Sequence, residues 1–272
     1  MKPYVKENPT QGELLLYKEV LNRIAGTYNE KFSLLVLPTS LPSKEGELVL
    51  PFFEGRTYND VWNESTGGSL LGTELSDEVP QILYELSLID TRPILENSSL
   101  QMIPKLAFDH ESYGYEAHKL LRHFTDADIL TAEEAVRALN LMSRPFESPM
   151  VFNNGDFYPR NFIRNPNDRI VLIDWETWNE NSRANVIDHP ENVAAFCFVH
   201  MWGNPAWQES YVSGLRQRFS FNQSGFQSAI LIKSLEMANF WFGGTGRNEL
   251  CDNQIRMFRN ALSNSYMESL WK

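Results

Sequence analysis

Cysteine is nearly absent: the 272 residues include two, Cys197 and Cys251, and neither sits in a CxxC pair. That argues against a disulfide framework and a structural zinc site, and both thiols are expected in the core. Long apolar runs are missing as well, none approaching the roughly 18 residues of a membrane span, and the opening MKPYVKENPTQG has no apolar signal core. A cytoplasmic protein with no membrane partner is the expectation. Positive charge is in deficit, 24 Lys and Arg against 35 Asp and Glu, for a net charge of −11. Such a chain has no general affinity for nucleic acid, whereas a neutral or cationic small molecule meets no such barrier. Bound metal would also let local carboxylates face a phosphate.

Further absences narrow the chemistry. No G-x-S-x-G occurs and no Cys/His arrangement stands out, which leaves covalent hydrolase chemistry without support. His118 and His123 are five apart, not the four that would align two metal ligands on one helical face. Repeats and low-complexity tracts are missing. No G-x-G-x-x-G precedes residue 50, where the early glycines Gly12, Gly26 and Gly46 are isolated.

What is present is an ordinary core-forming composition, 42% hydrophobic and 12% aromatic. PYVKEN at residues 3 to 8 reads as a short strand, and Gly12 to Ala25 has helical periodicity. Two apolar runs, Phe32 to Leu37 and Glu47 to Phe53, flank the turn-like TSLPSKEG and are expected to pair as an antiparallel hairpin. Helical patterns begin at Asp77 and recur in ESYGYEAHKLLRHF and TAEEAVRALNLM. After about residue 188 the chain reads as helices over roughly 190 to 216, 224 to 242 and 251 to 270.

Between the two helical regions lies the segment with chemistry in it: Asn154-Gly155-Asp156-Phe157-Tyr158-Pro159-Arg160-Asn161, then the apolar run Ile170 to Ile173 ending in Asp174-Trp175-Glu176. A loop with a carboxylate and an amide five residues apart, followed by a hairpin returning a second carboxylate, makes an oxygen-rich site suited to magnesium. Phosphoryl transfer needs such parts. Asp156 would orient the attacking hydroxyl and accept its proton, and Asn161 and Asp174 would hold metal on nucleotide phosphates.

The stretches FNNGDFYPRNF and VLIDWE resemble the HGDxxxxN and IDxE motifs of the aminoglycoside phosphotransferase and choline kinase-like group, over roughly residues 150 to 195. The resemblance implies an α+β, bilobal protein kinase-like fold, with a small N-terminal lobe of sheet plus helix and a larger, mainly helical C-terminal lobe. It implies Asp156 as catalytic base and Asn161 and Asp174 as magnesium ligands. Glu176 takes a supporting or substrate-side role, and Asp188 braces the catalytic loop. Trp175 is placed to line the acceptor site. Asn154 stands where the group has His, and Arg160 where small residues are usual, a change that restricts the site or contacts phosphate.

By the same resemblance, ELVLPFFEG is the strand and hinge, with backbone groups of Pro51, Phe52 and Phe53 facing the base of ATP or GTP. Lys6 is the phosphate-binding lysine, and the next helix offers Glu13 or Glu19 as its ion-pair partner, the family register falling near Tyr17. The expected division is 1–55 as a shortened N-terminal lobe and hinge and 56–272 as the helical lobe with catalytic loop and metal site. A start lying late in a longer reading frame is one explanation of the short lobe.

Only thirteen residues separate Asp174 from Asp188, too few for a peptide-binding platform, so the acceptor is expected to be a small-molecule hydroxyl compound, with a cationic one compatible. The function implied is a magnesium-dependent phosphotransferase. The alternative is a catalytically impaired kinase-like binding protein lacking the glycine-rich loop. The pattern specifies no oligomeric state.

Overall fold

The computed structural model describes residues 3–6, 8–57, 74–103, 106–175, 185–220 and 222–272. It divides into two compact units, one of Met1–Phe108 with Met150–Asp188, the other of Asp109–Pro149 with His189–Lys272. Residue 55 falls inside the first.

In the first unit, strand β1 (Pro3–Lys6) pairs antiparallel with β3 (Leu48–Pro51), setting Lys6 opposite Leu48 and Pro3 opposite Pro51. The helix between them begins as α1 (Gln11–Leu15), capped by the Thr10 hydroxyl, passes through a π-helical turn at Leu16–Leu21, and continues as α2 (Asn22–Asn29). Leu16, Tyr17, Val20, Leu21 and Ala25 are buried along it, and Glu13 lies on the same face.

The expected hairpin does not form. Strand β2 (Leu35–Val36) runs parallel to β7 (Ile170–Leu172) in a sheet of order β2-β7-β6-β4, with β6 (Phe162–Arg164) and β4 (Arg56–Thr57) antiparallel beyond it. The reason is that this register buries Leu35 against the wholly buried Ile170, Val171 and Leu172. Polar groups also lock it. The Glu85 carboxylate, on α3 (Glu74–Ser87), which the single turn α4 (Arg92–Leu95) follows, accepts from the amides of Ser33, Leu34 and Leu35 at 2.9, 3.1 and 2.6 Å, and Arg169 donates to the carbonyls of Asn29, Phe32 and Leu35. Burial pushes the Glu85 carboxyl up, but these donors outweigh it and hold it below its usual value. Gly55, between β3 and β4, has φ +151° and sits where an added Cβ would be 2.1 Å from the Arg164 carbonyl, so only glycine fits.

A last pair, β5 (Val151–Phe152) with β8 (Ile187–Asp188), sets Val151 opposite Asp188 and leads directly into the Asn153 to Asn161 loop.

The second unit is helical. Asp109 caps α5 (His110–Asp126), and a Thr131/Glu134 capping box starts α6 (Ala132–Met142). Helices α7 (Pro190–His200), α8 (Pro205–Arg218), α9 (Gln223–Thr245), α10 (Glu249–Leu262) and α11 (Asn264–Leu270) follow. Two of the expected helices are each split. Asn204 caps a new start before Pro205, whose ring cannot continue a helix, and Ser263 caps another. Both cysteines are buried, and no described helix is long and apolar enough to cross a membrane.

Candidate phosphotransfer site

The residues singled out around Asp156 all lie in the first unit. The loop after β5 is shaped by two asparagines. Asn153 accepts from the Gly155 amide at 2.7 Å and donates to the Asn185 carbonyl at 3.2 Å. Asn154 donates to the Ile173 carbonyl at 2.9 Å and the Asp156 carbonyl at 3.1 Å, and accepts from the Asp156 amide at 3.3 Å. Asn154 thereby ties the loop to the end of β7, work its amide can do in the place where the resembling group has His. Gly155 turns the chain with φ +77°.

Asp156 is 3% exposed. Its Oδ2 accepts from Asn161 Nδ2 at 2.8 Å, and the same nitrogen reaches the Asp156 carbonyl at 2.9 Å. Arg160 Nη2 lies 3.5 Å from Oδ2. Burial raises the Asp156 carboxyl above its ordinary value, against the Asn161 bond and the Arg160 charge, and Asp174 nearby adds to the rise. Its other oxygen, Oδ1, makes no hydrogen bond with the described residues, so one carboxylate edge is fixed and the other is available.

Asn161 ends the single turn Pro159–Asn161 and enters β6. Its carbonyl accepts from the Ile173 amide at 3.0 Å, which brings Asp174 beside it. Asp174 itself has φ +60°, a left-handed turn away from the strand direction. Its Oδ1 lies 3.4 Å from Lys6 Nζ, and Lys6 in turn lies 2.6 Å from Glu13 Oε1. Burial raises the Glu13 carboxyl, Lys6 opposing it.

The lysine's acid is thus Glu13. Glu19 is a correction to the sequence reading: it pairs with Arg23 at 2.9 Å, one turn along the helix. A signal for this was present, since Glu13 precedes the apolar Leu16 and Tyr17 by three and four positions while Glu19 falls off that face. Trp175 is a second correction. It is fully buried, its ring tilted against that of Phe152 with centroids 4.8 Å apart and its indole N–H donating to the Leu172 carbonyl at 2.7 Å, so it braces the strand and does not line an acceptor site. Asp188 is buried on β8 and accepts from Asn185 at 3.5 Å. Pro51 and Phe53 are half-buried and Phe52 is 57% exposed. Glu176 lies outside the described residues.

Neither a family profile nor a curated protein sequence matches the chain. Solved structures do. A microcompartment-associated aminopropanol kinase superposes with a TM-score of 0.58 at 14% identity, over 99% of this chain and 86% of its own. The Plasmodium vivax ethanolamine kinase gives 0.55 at 12%, over 98% and 77%. A macrolide 2'-phosphotransferase from Brachybacterium faecium gives 0.54 at 13%, over 94% and 84%. The fold is α+β and kinase-like. Within that kinase-like fold Asp156, Asn161, Asp174, Lys6 and Glu13 form one connected set.

A magnesium ion is testable against the donors. Among the described residues no group of three or more His, Cys, Asp and Glu is placed to hold a metal. Asn161, however, spends its nitrogen on Asp156, and among the described residues its side-chain oxygen accepts no hydrogen bond and the Asp174 carboxylate pairs with Lys6 alone. One amide oxygen and one carboxylate fit a hard cation that completes its shell from phosphate and water, as magnesium does.

Proposed function

We propose that the protein is a magnesium-dependent phosphotransferase that moves the terminal phosphoryl group of ATP or GTP to a hydroxyl of a small molecule. The observation that carries this is the Asp156 carboxylate, fixed through one oxygen by Asn161 and open at the other. A buried, raised carboxyl is suited to taking a proton as an alcohol attacks. The acceptor oxygen forms the new bond to the γ-phosphorus while the bond to the β,γ-bridging oxygen breaks. Its electron pair stays on the nucleoside diphosphate, and the acceptor's proton passes to Asp156.

Asn161 and Asp174 are the residues that would hold magnesium, which supplies charge neutralisation on the phosphate oxygens. Lys6, oriented by Glu13, reaches for the phosphates, and the backbone at Pro51, Phe52 and Phe53 seats the base. The Lys6–Glu13 pair counts against the impaired-scaffold alternative, since a chain that no longer held nucleotide would have little use for a lysine aligned on a desolvated acid. The small-molecule kinases among the structural neighbours support the same reading.

The test is a screen for nucleoside diphosphate release with magnesium and a panel of hydroxyl compounds. Turnover that disappears in Asp156→Asn supports the proposal. Wild-type-like turnover in that variant overturns the assignment of the base.

A further inference from the structure

Arg160 is held differently from Arg164 and Arg169. Arg164 is engaged by Glu78 and Asp168, and Arg169 by three backbone carbonyls. Among the described residues Arg160 makes one long hydrogen bond, 3.5 Å to Asp156 Oδ2, with its guanidinium carbon 5.3 Å from the centroid of the Tyr158 ring. Its side chain is 55% exposed. A guanidinium carries five N–H donors, so most of them are unspent. With the guanidinium end in solvent and the contact that long, the pair with the buried Asp156 stabilises little. The aromatic face nevertheless holds the group in place beside the base.

We propose that Arg160 is an oxyanion-binding residue of the transfer site, an inference that rests on the phosphotransferase reading. A planar fork of donors matches the oxygens of a phosphoryl or carboxylate group. The negative charge on the phosphoryl oxygens in flight lies beside the acceptor oxygen whose proton Asp156 takes, and Arg160 adjoins that carboxylate. The same chemistry would recognise an acid group carried by the acceptor.

Calorimetric titration separates the outcomes. Mg·ADP is titrated alone and with fluoroaluminate, a mimic of the phosphoryl group in flight, into wild type, Arg160→Gln and Arg160→Lys, each checked for an unchanged melting profile. The wild type is expected to bind the fluoroaluminate complex about tenfold more tightly than Mg·ADP or better. Arg160→Gln keeps the Mg·ADP affinity and loses the increment, and Arg160→Lys recovers part of it. A parallel titration with glycerate in the presence of Mg·ADP tests the second source, and a loss in Arg160→Gln confined to glycerate assigns the oxyanion to the acceptor. Equal behaviour of wild type and Arg160→Gln in both titrations overturns the proposal. A wild type that binds no Mg·ADP overturns the phosphotransferase reading itself, and the Arg160 proposal with it.

Discussion

Lys6 and Glu13 form an ion pair at 2.6 Å in which the acid is the more deeply buried partner, the Glu13 side chain being 2% exposed and that of Lys6 23%. Removing the lysine therefore strands a carboxylate, whereas neutralising the acid leaves an ammonium that still reaches water and Asp174. Lys6→Met is expected to cost about 2 kcal/mol, under the roughly 3–5 kcal/mol of a fully buried pair because Lys6 keeps solvent contact. Glu13→Gln is expected to cost less. Urea denaturation of the two variants checks the order, and the reverse order would show that the acid is not desolvated.

Asp156→Asn is expected to do two opposite things. It abolishes phosphoryl transfer, and it raises stability by about 1 kcal/mol, because an amide loses less hydration than a carboxylate in that buried place while its oxygen still accepts from Asn161. Thermal melting of the inactive variant decides it: a lower melting temperature would mean the carboxylate contributes to the fold.

Glu85 is the opposite kind of buried acid. Its oxygens also accept from the Ser33 hydroxyl at 2.7 Å and from Gln81 at 3.1 Å, so Glu85→Gln is expected to cost about 2 kcal/mol. The folded-state carboxyl lies below its unfolded value of 4.5. Its stabilisation is therefore complete above that value and is lost as pH falls through the lower folded one. Chemical denaturation between pH 6 and pH 3 should show a steeper loss in wild type than in Glu85→Gln.

Trp175→Phe is expected to cost about 2 kcal/mol, combining lost volume with an unsatisfied Leu172 carbonyl. Affinity for the acceptor should be unchanged. A selective rise in acceptor KM with stability intact would return Trp175 to the acceptor site.

The parts of this molecule that could be read from the chain are those written locally. The five-residue step from Asp156 to Asn161 spans one loop and one turn, so spacing alone brings the two side chains within 2.8 Å. Helices declared themselves by period, and their splits lie at Asn204-Pro205 and Ser263, where cap signals were present but outweighed by long apolar patterns. Pairing of strands was less legible. Phe32 to Leu37 and Glu47 to Phe53 are both apolar and adjacent in sequence, but the preferred partner of Leu35 lies at Ile170, and the acid that fixes it, Glu85, is fifty residues away. Trp175 was misplaced because neighbours in sequence need not share a side. The left-handed backbone at Asp174 sends the carboxylate toward Lys6 while the indole turns into the core.

The turn at Leu16–Leu21 closes with the Asn22 amide on the Tyr17 carbonyl, one residue longer than an α-helical turn. Across it the helix is out of phase with itself. Excising one residue there would regularise the coil, but at about 100° per residue it would swing Glu13 away from Lys6 for as long as Ala25 stayed seated. In the sequence that residue is one more position in a continuous helical pattern. In three dimensions it is a phase correction, letting one helix answer both to the packing beneath its second half and to the lysine beside its first.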